Sequence, residues 1–91
     1  MNPIASLRAK FLDDFKRLLN ESAFDVEDDA TFSSIISAAT MFVSQKTIAE
    51  KTQFGKASIN RWSRGKQLTR NMRIRHMVAE DIKEIIRVIR K

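Results

Sequence analysis

Past Pro3, only Gly55 and Gly65 break up a chain of 91 residues. So few backbone breakers leave room for helices and tight turns, and for little else. Apolar residues recur at helical spacings, and nowhere do they alternate with the period of two that a half-buried strand needs. No internal repeat or low-complexity tract is present. The expected fold is one all-α domain, 1–91, of about five helices. It divides into an N-terminal helix and acidic loop (1–29), a central helical core (30–66) and a long C-terminal helix (67–91).

Function classes narrow quickly. The chain contains no cysteine and a single histidine, His76, so disulfides, thiolate chemistry, a zinc cluster and a Ser-His-Asp device have no residues to build them. His76 reads as a surface or core-edge residue. The acidic groups Asp13-Asp14 and Asp25 to Asp29 read as solvated charge, with no metal-ligand spacing or glycine loop beside them. No enzyme activity, cofactor or metal is expected. No apolar run approaches the roughly 18 residues of a membrane span, and no charged-then-apolar leader opens the chain. A cytoplasmic binding protein is what remains.

Charge distribution points to the partner. The net charge is +6, but four bases stand against seven acids before residue 44, and thirteen bases against four acids from there on. Between Glu50 and Glu80 no acid occurs, while Lys51, Lys56, Arg61, Arg64, Lys66, Arg70, Arg73 and Arg75 all fall there. A solvated helix face ordinarily mixes signs, so a one-sign stretch of this length calls for a polyanion, with nucleic acid first. An anionic membrane surface and a merely soluble basic face are the rival readings.

Periodicity places the helices. Pro3 behind a capping Asn2 suits a first helical turn. Ile4, Leu7, Phe11, Phe15 and Leu18 then form a stripe, widened by Leu12 and Leu19, which predicts a helix over about 3–20 ended by Asn20, Glu21 and Ser22. This stripe is expected in the core, with a dimer or partner surface as its other use. Asp28 or Asp29 is expected to cap a second helix carrying Phe32, Ile35, Ile36, Ala39 and Phe42. A last helix over about 70–90 follows Ile74, Val78, Ile82, Ile85 and Ile89, with Ile86 and Met77 beside them and Glu80 and Glu84 near Lys83, Arg87 and Arg90. Its apolar end either folds back on the first helix or meets a second chain.

Residues 44–66 hold the segment that carries function. Ser44 caps a short helix with Ile48 and Ala49 inward, Phe54 plugs an elbow, and Ile59 and Trp62 anchor a second short helix closed by Gly65. Anchoring one face leaves Lys56, Ala57, Asn60, Arg61 and Arg64 on the other, a basic, amide-bearing surface about as wide as a major groove. Arg and Asn suit guanine and adenine edges because each presents paired hydrogen-bonding groups in one plane. Lys66, Arg70, Arg73 and Arg75, past this helix, read as phosphate clamps.

The runs Ser-Gln-Lys-Thr-Ile-Ala-Glu-Lys-Thr and Lys-Ala-Ser-Ile-Asn-Arg-Trp-Ser-Arg-Gly-Lys resemble the helix-turn-helix of phage repressor/Cro-type (lambda-repressor-like, XRE-like) regulators over about a quarter of the chain. The resemblance implies a helix-turn-helix core, binding of an inverted DNA repeat as a dimer, and helix 56–64 in the major groove. It places Lys56, Ala57, Asn60 and Arg61 at base-contacting positions and Gln45 at a phosphate; Lys46, Ser58, Arg64, Lys66, Arg70 and Arg73 are the other candidates for phosphate contact. The expected role is a phage- or mobile-element-type transcriptional regulator at the nucleoid. Two departures stand out in the turn: Gln53 occupies the family's usual glycine position and Gly55 its usual serine position; Ser63 also replaces a common Glu. A left-handed backbone at Gln53 costs about 1 kcal/mol, and Gly55 two residues on offers another place for it. The alternative function is a protein-interaction adaptor or antirepressor acting through the N-terminal helix.

Overall fold

The computed structural model describes residues 3–21 and 24–89, with side chains from residue 6 onward. It contains five helices: α1 (Pro3–Asn20), α2 (Asp29–Ala39), α3 (Gln45–Thr52), α4 (Lys56–Ser63) and α5 (Met72–Arg87). No strand occurs among the described residues. The capping expected of Asn2, the side chain of Ile4, the stop at Ser22 and the pairing of Arg90 lie outside them.

Local chemistry accounts for the helix starts. Asp28, Ser44 and Asn71 are extended residues whose side chains accept from the backbone N–H groups of Thr31, Thr47, and Arg73 and Ile74. Each satisfies donors the first helical turn leaves without partners. Gly65, in the left-handed region at φ 74°, follows the end of α4. Its N–H donates to the Trp62 carbonyl and that of Lys66 to Arg61, the paired closure that suits a glycine at this position.

α5 is the hub. It packs against α1, α2 and α3, while α4 lies on α2 and α3. Val78, Ile82 and Ile86 of α5 meet Leu12, Phe15 and Leu19 of α1, Phe32, Ile35 and Ile36 of α2, Ile48 of α3, and Ile59 and Trp62 of α4 in one buried cluster. The radius of gyration, 12.8 Å, is close to the ~12 Å of a compact chain this long. The apolar end of α5 therefore folds back on its own chain through Ile82 and Ile86, while Val88 stays 70% exposed, and Lys16 Nζ on α1 donates to the Ile89 carbonyl just past the helix.

Two expected stripes are rotated. On α1 the buried set is Leu12, Phe15 and Leu19, whereas Leu7 and Phe11 stay exposed and Leu18 is half-buried. On α5 the buried set runs Arg75, Val78, Ile82 and Ile86, with Ile74, Ile85 and Ile89 at its margins. Both corrections have one cause. A helix with apolar residues over more than one face turns the side that its neighbours can cover toward the core, and periodicity does not say which side that is.

Candidate nucleic-acid interface

α3 and α4 meet across a turn of three residues. Gln53 ends α3 in the left-handed conformation (φ 64°, ψ 21°), and its N–H donates to the Ala49 carbonyl. Gly55 is extended (φ −67°, ψ 149°) and begins α4 without a side-chain cap. The left-handed residue is therefore Gln53 itself, and Gly55 does not take its place. Buried Thr52 reinforces the turn: its Oγ1 donates to the Ile48 carbonyl at 2.8 Å and accepts from the Phe54 N–H at 3.4 Å. The Phe54 ring then meets Trp62 edge-on, centroids 5.2 Å apart.

Trp62 is core. Its ring lies between Phe54 and Phe32, and its Nε1–H donates to the Gln67 carbonyl at 3.2 Å. Ser33 Oγ on α2 donates to the Ser63 carbonyl, which joins the end of α4 to the body of the domain. With Ile59 and Trp62 buried, Lys56, Ala57, Arg61 and Arg64 are exposed, and Asn60 and Ser58 are half-buried. Among the described residues α1 makes no packing contact with α4, so the N-terminal helix leaves this face open.

Two side-chain links organise the face. Asn60 Nδ2 donates to Gln45 Oε1 at 3.4 Å, coupling the middle of α4 to the first residue of α3. Arg61 Nη2 donates to Ser58 Oγ at 3.2 Å, one turn back on α4. Neither pairing was legible as a contact in the sequence, although the helical spacing of 58 and 61 permits the second. Ser63 Oγ turns back to donate to the Asn60 carbonyl, so it is no part of the outer face.

The outlying bases separate into three groups. Lys56, Arg64, Lys66 and Arg73 are exposed and form no ion pair among the described residues. Lys46 lies 4.0 Å from Glu50 in an exposed pair worth little to stability. Arg70 Nη1 is engaged by both carboxylate oxygens of Asp29, at 3.1 and 3.0 Å, so its charge is already partnered.

Arg75 is not on the surface at all, which corrects its reading as a phosphate clamp. It is 0% exposed. Its Nε donates to the Thr69 carbonyl, Nη1 to the carbonyls of Val26 and Glu27, and Nη2 to Asp29 Oδ1 at 2.8 Å. The guanidinium also lies 5.1 Å from the Phe32 ring centroid. The missed signal was its register: 75, 78, 82 and 86 form a helical stripe, so an arginine there occupies a core position. The Arg75 and Arg70 guanidiniums hold the Asp29 carboxyl below the usual carboxylate value.

No family model, curated protein or solved structure matches this chain. The functional reading rests on the site itself. Among the described residues no group of three metal-ligating side chains gathers, and no helix is long and apolar enough to cross a membrane.

Proposed function

We propose that this protein is a sequence-specific double-stranded DNA-binding regulator in which α3, the Gln53 turn and α4 act as a helix-turn-helix. One observation carries the reading. α4 is held to the core by Ile59 and Trp62, with Lys56, Ala57 and Arg61 exposed and Asn60 half-buried beside them, no acid on the helix and, among the described residues, no packing contact from α1. A helix so anchored fits the width of a major groove, and its Arg and Asn side chains pair with guanine and adenine edges.

In this arrangement Gln45, Lys46, Ser58, Arg64, Lys66 and Arg73 flank the groove-facing helix and meet phosphates. Gln45 stands at the start of α3, where a helix N-terminus favours an anion. Its link to Asn60 orients the Asn60 amide at the same time. Arg70 contributes less than its position suggests, because Asp29 already neutralises it.

A single recognition helix makes few base contacts, so affinity comes from a symmetric dimer on an inverted repeat, through surface on the terminal helices. The role is transcriptional regulation of phage or mobile-element type, in the cytoplasm at the nucleoid. Selection of bound duplexes from a random oligonucleotide pool tests this. An enriched inverted repeat supports it, and retention of all sequences alike, or of none, removes it. The adaptor reading draws on one feature, the exposed Leu7 and Phe11 of α1, and predicts no salt-sensitive DNA retardation.

A further inference from the structure

The end of α1, the segment 24–26 and one side of α5 enclose a cavity of about 330 Å³ that no residue of α3 or α4 lines. Its floor is apolar: buried Leu19, Val26 and Ile35, with half-buried Phe24 and Ala79 beside them. The Phe24 ring is braced edge-on against Phe15, centroids 6.2 Å apart. The volume lies at the lower end of small-molecule sites, which combine an apolar lining with a few convergent polar groups.

The polar groups divide between two ends. His76, Glu80, Lys83 and Arg87 follow one another at spacings of four, three and four, along a single edge of α5. His76 and Glu80 border the cavity, and so does Lys83. Lys83 also borders a narrow adjoining cleft with Lys16, Asn20 and Arg87, whose lining holds no acid. None of these four α5 side chains forms an ion pair among the described residues. Lys16 gives one donor to the Ile89 carbonyl, and an ammonium has two more. An apolar slot therefore separates a cationic end from an end with one carboxylate and one imidazole.

We infer that this cavity binds a purine nucleoside monophosphate, with guanine the preferred base. Three cations facing no acid match the double charge of a phosphate, where a carboxylate needs only one. The flat base fills the slot against Phe24. At the far end Glu80 accepts from the guanine N–H groups and the His76 ring N–H donates to O6. Adenine reverses that edge, setting a ring acceptor against the carboxylate. Glu80 and Arg87 are two helical turns apart, about 10 Å along α5, the reach of an extended mononucleotide. The inference does not rest on the DNA-binding reading, because the cavity shares no residue with α3 or α4; only an effect of the nucleotide on DNA affinity rests on it.

Calorimetric titration of the full chain with guanosine monophosphate tests the site. Binding should saturate at one nucleotide per chain and exceed that of adenosine monophosphate, guanosine and inorganic phosphate. Lys83→Ala and Arg87→Ala should each weaken it about tenfold, the loss of one charge-assisted hydrogen bond. Glu80→Gln should erase the preference over adenosine monophosphate, because the amide donates as well as accepts. Lys66→Ala and Arg73→Ala, beside α4 and before α5, should leave binding unchanged, and thermal melts check that every variant folds. No saturable binding at millimolar nucleotide, inorganic phosphate bound as tightly as the nucleotide, or normal binding by Lys83→Ala overturns the proposal. So does loss of binding in the Lys66 or Arg73 variant, which places the nucleotide on the DNA-facing side. A chain that binds the nucleotide but no DNA removes the functional reading and leaves this one standing. DNA binding without nucleotide binding does the reverse.

Discussion

Arg75 Nη2 lies 2.8 Å from Asp29 Oδ1, joining a guanidinium with no solvent exposure to a carboxylate that is half in water. This bond ties α5 to the first turn of α2. The same guanidinium holds the carbonyls of Val26 and Glu27 in the acidic loop, and that of Thr69 before α5. No buried side-chain polar atom among the described residues lacks a partner. A buried cation is tolerable when every donor is engaged and costly when a partner is withdrawn.

Arg75→Ala should therefore destabilise the domain by about 2–5 kcal/mol, since it empties a core position and leaves the Thr69, Val26 and Glu27 carbonyls without their donor, while Asp29 keeps Arg70. Arg75→Lys should rescue little, because one ammonium cannot reproduce the planar fork that reaches four acceptors. Urea unfolding followed by far-ultraviolet circular dichroism measures both. Near-wild-type stability in Arg75→Ala would show that the buried network does not anchor the loop.

Acid should weaken the fold through a small set of carboxylates. Hydrogen bonds from Arg75 and Arg70 lower Asp29, those from Thr31 lower Asp28, and one from Lys51 lowers Glu84. A group lowered in the folded state adds stability that is complete above its unfolded value and disappears as pH falls through its folded value. Asp81 acts oppositely: burial raises it, so protonation there favours the fold. Three losses against one gain predict falling stability below about pH 4. Thermal melts at decreasing pH should show this, and Asp29→Asn should flatten the decline. At the alkaline end Glu84 raises Lys51, whose contribution is complete below the ordinary lysine value and fades as pH rises through the higher folded one.

The left-handed Gln53 predicts a stabilising substitution. Gln53→Gly should raise stability by about 0.5–1 kcal/mol, the relief of the steric strain exceeding the extra freedom glycine gives the unfolded chain. Gly65→Ala should act in the opposite direction by a similar amount, because Gly65 also has positive φ. Chemical denaturation of the two variants checks the signs. Gly55→Ala provides the control: that residue is extended, and an added methyl meets nothing within 4 Å.

On the DNA-binding reading, Arg61→Ala should cost about 1–3 kcal/mol on the selected site and relax discrimination at one base position. Lys66→Ala and Arg73→Ala should instead weaken all sequences alike, each reducing the slope of log affinity against log salt by about one. Arg70→Ala should change the slope by less, since Asp29 already partners it. Titrations on selected and random duplexes at several salt concentrations separate these outcomes. Equal losses on both duplexes for Arg61→Ala would remove it from base reading. Ser58→Ala should weaken selected and random duplexes alike as a lost phosphate contact and, because Ser58 Oγ accepts from Arg61 Nη2, should also relax discrimination at the Arg61 position.

Local chemistry made most of the architecture legible. The scarcity of glycine and proline dictated helices, and Ser44 and the Asp28-Asp29 pair marked where two of them begin, because capping is settled within four residues of sequence, whereas the Asn71 cap of α5 emerged only in the structure. The spacing of Ile59 and Trp62 likewise dictated which face of α4 is buried, since that helix has only one apolar side. Long-range packing decided what spacing left open. Leu7 and Phe11 share a stripe with Phe15, yet α5 and Phe42 cover only part of it, so the same pattern yields core and open surface. Arg70 and Arg75 look alike in an acid-free run. The register of 75 with 78, 82 and 86 marks the second as a core position, but only the fold brings Asp29, more than forty residues away, to neutralise the one and tether the other. A charge's role depends on what the fold brings beside it, and no local rule contains that information.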